Sequence, residues 1–323
     1  MPGKVHPDDL LSHVFGRTGE DDPAVVKGPA DGEDAAAIDP PAGTLVVSSD
    51  PISLAASRVG TLGVHVACND IAVSGADPRW LSVVLMLPSE RALEPITRDI
   101  HAAASDLGAT IVGGHSEYVD ALERPIVSLT AMGMTEAFVP TGGAEPGDRV
   151  VLTGAAGIEG TAILAADFGG ELDVPTDVVE RGASFFEDVS VAADAQILRE
   201  YATSMHDPTE GGVAAGLHEI ARASDVRLDV EREAVPIREA TRALCDAAGV
   251  DPLRIFGSGA VAGTVPESEV DDALAALSDA DIPAAEVGVV SEGSPELRMD
   301  GESTVDPIED DLYPLWAAAD SEK

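Results

Sequence analysis

Four short stretches place an acid or an amide among small residues beside an apolar element. They are Glu33 and Asp34 in "GEDAAA", Asp50 in "SSDPIS", Asn69 and Asp70 in "ACNDIAVSGA", and Asp207 in "MHDPTEGG". Carboxylates brought together repel one another, and a hard cation with oxygen ligands is the ordinary remedy. Mg²⁺ held by one or two carboxylates plus substrate phosphates fits such a set best. Asp50 ends an apolar run, where α/β sheets present ligand-binding groups. Asp70 lies in a helical stretch among Cys68, Ile71 and Ala72, where a solvated acid has no reason to be. Each residue also has a structural alternative: Asp50 before Pro51 forms turns, and Asp70 can bond locally.

The sharpest local signal is "SMHDPTEGGVAAGLHEIA", in which a polar turn with Asp207 and Thr209 runs through Gly211 and Gly212 into an amphipathic helix. Backbone N–H groups at a helix start, uncovered by glycine, form an anion cradle. An N-cap by Thr209 is the alternative. Two glycines cost roughly 1 kcal/mol each inside a helix, which close approach of backbone to a ligand would explain. His206 beside Asp207 reads more naturally as structural. In "GGHSEY", which follows the run "ATIV", His115 and Glu117 are expected at a strand's end, placed to bind metal or polarise a substrate; a glycine turn with incidental polar residues fits equally.

Familiar nucleotide signatures are absent. No G-x-x-x-x-G-K-[ST] occurs, and no lysine lies between Lys27 and Lys323. "GAAGIEG", residues 154–160, does not fit G-x-G-x-x-G and reads as a tight strand-to-helix turn. No G-x-S-x-G elbow is present.

These acids stand against an acidic background. The 323 residues include 19 basic and 59 acidic ones, a net charge of −40, with Lys4, Lys27 and Lys323 as the only lysines. Such charge is tolerable when molar salt shortens the screening length to about 3 Å, so the composition reads as a halophilic, cytoplasmic protein. Disorder is excluded because 45% of residues are apolar and fall in periodic segments. With no basic stripe to neutralise phosphates, nucleic acid and anionic membranes are not expected partners. The start "MPGKVHPDDLLSHVFG" has no leader-like apolar core, and the run "LSVVLMLP" is too short to span a bilayer. Cys68 and Cys245 alone make neither a disulfide framework nor a zinc cluster.

Positioning these residues requires mixed α and β structure. "TLVVSSDPI", "RWLSVVLMLP", "ATIVGG" and "PIVSLTAMGMT" read as strands. Ile96, Ile100, Ala104 and Leu107 mark a helix with Pro95 in its first turn, and "GTLGVHVACNDIAVSGA" a tightly packed helix stopped at Gly75. "VPTGGAEPGDR", residues 139–149, is the expected linker. Beyond it, "RVVLTG", "GAVAGTVP" and "AAEVGVV" read as strands, with helices over "IEGTAILAADFG", around Val213, Leu217 and Ile220, and around Val270, Leu274 and Leu277. The domains expected are 1–140 and 141–323.

In chain order, "GEDAAAI", "SSDPIS", "NDIAVSGADP", "GGHSE", "MHDPTEGG" and "GSGAVAGTV" resemble the superfamily of aminoimidazole ribonucleotide synthase, thiamine-monophosphate kinase, selenophosphate synthetase and HypE, the hydrogenase maturation protein. "MHDPTEGG" and "GVDPLRIFGSG" lean towards the HypE branch. The resemblance implies a two-domain α/β (α+β) fold and a homodimer whose N-terminal sheets join into a barrel. It implies ATP as cofactor, with Mg²⁺ on Asp34, Asp50 and Asp70. Glu33, Asn69, Thr209, Gly211 and Gly212 would line the nucleotide, and Asp207, His115 and Glu117 the reacting group. The implied activity is ATP-dependent activation of an oxygen on an amide, carboxylate or phosphate, in a small-molecule or protein-bound acceptor. A small-molecule kinase and a non-catalytic nucleotide-binding maturation protein are the alternatives. Several relatives carry an acid after the two glycines of "GG(D/E)T", where His115 stands here. HypE carries a terminal cysteine that becomes a thiocyanate; the sequence closes on "LYPLWAAADSEK", so a HypE-like site without self-thiocyanation is expected.

Overall fold

The computed structural model describes residues 25–27, 32–33, 36–38, 43–53, 55 and 58–321. Asp34 lies outside them. Two sheets organise the chain. The first contains β1 (Val25–Lys27), β2 (Ala36–Ile38), β3 (Thr44–Ile52), β4 (Asp77–Leu87), β5 (Thr110–Tyr118) and β6 (Ile126–Thr135), in the order β1-β2-β3-β6-β4-β5. Its neighbours are antiparallel except β4 and β5. Those two run parallel because a helix, α2 (Leu93–Asp106), carries the chain back between them.

Period-2 patterning decides which face is covered. Leu81, Val83, Leu85 and Leu87 of β4 and Val127, Leu129 and Ala131 of β6 are buried. The intervening Ser82, Val84 and Met86 are only half-buried. The buried face carries α1 (Val59–Val73), which packs on β3, β6 and α2. Helix α1 is buried nearly all round, as its run of Val, Ala, Gly and Leu requires. Its glycines set the distance: a Cβ on Gly60 would stand 2.6 Å from the Ile96 carbonyl oxygen of α2.

The second sheet contains β7 (Arg149–Thr153), β8 (Ser204–His206), β9 (Arg227–Val230), β10 (Ala262–Val265), β11 (Ala284–Ser291), β12 (Glu296–Met299) and β13 (Glu302–Thr304), ordered β13-β12-β9-β11-β7-β10-β8. The helices of this half are α3 (Ile158–Ile163), α4 (Thr176–Ser184), α5 (Ala192–Leu198), α6 (Gly212–Ser224), α7 (Glu239–Ala248), α8 (Val270–Asp279) and α9 (Tyr313–Ser321). Helix α1 also faces this half, since Ala72 and Val73 join a buried cluster with Val151, Val191 and Met205. It therefore lies between the two sheets. Among the described residues no helix is long and apolar enough to cross a membrane.

The 139–149 connector is packed rather than loose: the Ser204 hydroxyl donates to the Thr141 carbonyl, and the Ala144 N–H donates to Ser224. "GGHSEY" is not a strand's end, because β5 runs through it to Tyr118. Every residue of β5 is exposed, so no apolar alternation marked its length. Among the described residues of one chain the first sheet is open, with β1 and β5 at its edges.

Candidate functional site

Along β3, Ser48, Asp50 and Ile52 share the face turned towards α1, because alternate residues of a strand point the same way. Helix α1 brings Asp70 to that face. The Ser48 hydroxyl stands 2.5 Å from Asp70 Oδ2 and 3.2 Å from Asp50 Oδ2, so two carboxylates meet at one hydroxyl. A serine hydroxyl has a single proton, and an ionised carboxylate only accepts. The shorter contact takes that proton, leaving the Asp50 oxygen a weak share. Asp70 is only 6% exposed, so water does little to relieve the repulsion. Two carboxylates and a hydroxyl are hard oxygen donors of the kind that Mg²⁺ takes. Among the described residues, no group of three or more His, Cys, Asp or Glu side chains is arranged to hold a metal. Further ligands would have to come from phosphate, water or the region of Asp34.

Asn69 points elsewhere. It is fully buried; its Nδ2 donates to the Val189 carbonyl at 2.9 Å, and its Oδ1 accepts the Val191 N–H at 3.0 Å. Both ends of the amide are engaged by the backbone of the second half. Asn69 thus pins α1 across the interface, next in sequence to Asp70. Arg199 adds an ion pair of 2.8 Å to Asp77 across the same junction.

From the second half, β8 contacts α1 and ends one residue before Asp207, which is fully buried. The turn after it is held from several sides. The Thr209 carbonyl accepts the N–H groups of Gly212 and Gly257, each at 3.0 Å. Gly211 and Gly212 have φ values of 76° and 64°, a left-handed conformation suited to glycine. A Cβ on Gly212 would lie 2.5 Å from the Ile255 carbonyl oxygen and 2.6 Å from that of Leu253. Close approach is indeed why the glycines are there, but the approaching group is the chain's own backbone. The open anion cradle is likewise corrected. Asp310 Oδ2 accepts the Gly211 N–H at 2.9 Å, and the Leu253 carbonyl accepts the Ala214 N–H. The N-cap residue of α6 is Gly211, which has no side chain of its own to cap the helix. His206 lies 2.7 Å from Glu219 of α6, which ties β8 to that helix in the structural role expected of it.

The remaining expected residues separate. Glu33 has a 3% exposed side chain and pairs with Lys27 at 2.7 Å, while Gly32 lies against the Glu219 backbone. The turn therefore reaches α6. His115 and Glu117 stand 3.7 Å apart on β5 and are 67% and 52% exposed. Since β6 and β4 intervene, three strand spacings, about 14 Å sideways, separate β5 from β3, and His115 lies level with Pro51 rather than Ser48. His115 and Glu117 do not join Asp50 and Asp70.

Residues missed at the level of sequence are Ser48, Glu159, Glu210 and Asp310. Ser48 was signalled by its place two before Asp50. The other three gave no signal among so many acids. Burial raises Glu159 to about 7, with the nearby Glu210 adding and hydrogen bonds from Ser258 opposing. Burial raises Asp310 likewise to about 7, against the Leu312 and Gly211 N–H bonds and helped by Glu159 and Glu210.

Comparison with known proteins gives concordant findings. Residues 21–135 match the family described as AIR synthase related protein, N-terminal domain, and residues 145–300 its C-terminal domain. "Carbamoyl dehydratase HypE" of Rhizobium leguminosarum bv. viciae is 32% identical over 262 residues, covering 76% of this chain and 73% of that protein. The structure of a HypE–HypF complex superposes with a TM-score of 0.76 at 25% identity, covering 92% of this chain and 99% of that one. A structure of hydrogenase maturation protein HypE in complex with ATP gives 0.71 at 27% identity, covering 96% and 97%.

Proposed function

The chain belongs to the AIR synthase related family, in its HypE branch, and from that premise we propose that it is an Mg-ATP-dependent enzyme acting on the oxygen of an amide, carboxylate or phosphate acceptor. The observation that carries this reading is the convergence of Asp50 and Asp70 on Ser48. The ATP complex of the similar HypE supports the choice of nucleotide. When bound, Mg-ATP supplies a phosphoryl group whose transfer turns an acceptor oxygen into a leaving group. Such transfer depends on positioning and charge compensation. Asp50 and Asp70 hold the cation, with Asp34 as the expected third acid, and Ser48 keeps the two carboxylates together. Asn69 fixes the helix that carries Asp70. Asp207 and Thr209 stand on the opposing turn.

We assign the two halves as 1–140 and 141–323. A carbamoyl-type amide is the favoured acceptor, because the similar relative is a carbamoyl dehydratase. Cys68 and Cys245 are both buried, and burial pushes each thiol up to about 12, so neither serves as its carrier. A small molecule or a protein partner then carries it, and the HypE–HypF complex supports the protein. A homodimer with a shared barrel is supported by the uncovered face of the first sheet and by β5, whose Ile111, Val112 and Tyr118 are 42%, 55% and 50% exposed. Unpaired, apolar edges of this kind call for a partner.

Calorimetry with ATP and Mg²⁺ in molar KCl tests the reading. Wild type should bind nucleotide only with Mg²⁺, and Asp50→Asn and Asp70→Asn should abolish that binding with the fold retained. Unchanged affinity in both variants would remove them from the site.

A further inference from the structure

The N-terminus of α6 is closed by a carboxylate from a distant part of the sequence. Asp310 is 2% exposed; its Oδ2 accepts the Gly211 N–H and its Oδ1 the Leu312 N–H, each at 2.9 Å. The segment around it is docked firmly. The Ile308 carbonyl passes so close to Gly211 that a Cβ there would lie 2.8 Å away. Leu312 is fully buried. In a chain that is only 3% aromatic, Tyr313 and Trp316 of α9 gather with Phe168 and Phe256, with ring centroids 6.0 to 6.3 Å apart. The Trp316 indole donates to Asp167, and Arg254 pairs with Asp311 at 3.3 Å.

We infer that Asp310 is a positioning residue for the 207–212 turn, and that docking of residues 308–321 is thereby coupled to the order of that turn. The inference rests on reading this turn as half of the site. The Gly211 peptide is the contact through which the coupling acts. Its neighbours within the turn are Thr209, whose carbonyl holds Gly212 and Gly257, and the buried Asp207. An N–H buried this deeply is costly to leave without its acceptor, whether the Asp310 carboxyl is ionised or not, so losing the bond loosens the turn measurably.

The charged surroundings give the coupling a pH signature. Glu159 of α3 and Glu210 of the turn disfavour ionisation of Asp310, Glu210 does the same to Glu159, and the Tyr313 hydroxyl of α9 shares the cluster. Arg254 is committed to Asp311. The docked segment therefore prefers a protonated Asp310. Its docking is strongest below about pH 4, the ordinary range of an aspartate, and weakens as pH rises towards 7.

Amide hydrogen exchange at Gly211 and Gly212 in the full chain, in molar KCl, tests this. Asp310→Ala should speed exchange at Gly211 about 10- to 100-fold, the loss of one buried bond that leaves its donor stranded. Asp310→Asn retains one carbonyl acceptor and should recover most of the protection. In wild type, protection corrected for the intrinsic rate should fall between about pH 4 and 7 and level off above that. In Asp310→Asn the fall should be shallower, Glu159 keeping its own share. Mg-ATP affinity, measured in parallel, should weaken in Asp310→Ala and recover in Asp310→Asn. Exchange at Gly211 within a factor of two of wild type in Asp310→Ala, or a pH-independent wild type, overturns the inference. If exchange behaves as expected while wild type binds no Mg-ATP, the positioning of the turn stands and the proposed function falls.

Discussion

Replacing Asn69 by leucine separates a residue that holds the protein together from one that touches nucleotide. The side chain makes two hydrogen bonds, to the Val189 carbonyl and the Val191 N–H, and both valines are fully buried. Removing the amide strands one acceptor and one donor out of reach of water. Each stranded group costs roughly 1 to 3 kcal/mol, so the loss should be about 2 to 6 kcal/mol. Domains of ordinary stability have about 5 to 15 kcal/mol in all, so the variant should fold but melt early. Urea unfolding in molar KCl measures the change directly. Asn69→Asp gives an intermediate test, because its carboxylate still accepts the Val191 N–H but cannot donate to Val189. At Mg-ATP concentrations far above Kd, folded Asn69→Leu should bind the same amount of nucleotide as wild type. A loss under 1 kcal/mol together with abolished nucleotide binding would refute this assignment and return Asn69 to the ligand set.

Two further outcomes follow from charge. With a net charge of −40, thermal melts should rise steeply from low salt to molar KCl, and a flat Tm would contradict the halophilic reading. His65 of α1 is held down to about 4, chiefly by burial, with Asp106 opposing and Arg58 assisting. Its folded form resists protonation, so stability is lost as pH falls from about 6.5 towards 4, by about 3 kcal/mol. His65→Asn should lack that part of the acid loss, and an identical pH profile in the variant would show that His65 is not its source.

Legibility in the sequence followed burial. Strands with one covered face, such as β3, β4 and β6, carry apolar runs and were readable, and so was α1 with its small residues. Edge strand β5 was misjudged because all of it is exposed, which left His115 and Glu117 looking like a strand's end. Asp50 and Asp70 stood out through their apolar neighbours, whereas Ser48 joins them only through a contact 22 residues apart. The glycine pair was readable as a close approach, but pattern alone cannot say whether ligand or chain approaches; here it is residues 253–255. Asp310 could not be found, because a carboxylate that closes a helix end looks like any of 59 acids.

The central claim is that a divalent cation sits between β3 and α1. Anomalous diffraction from a crystal grown with Mn²⁺ and a non-hydrolysable ATP analogue tests it most directly. A Mn²⁺ peak within about 2.5 Å of carboxylate oxygens from both Asp50 and Asp70, with the nucleotide phosphates beside it, is the expected result. Bound nucleotide whose metal touches neither carboxylate would contradict it.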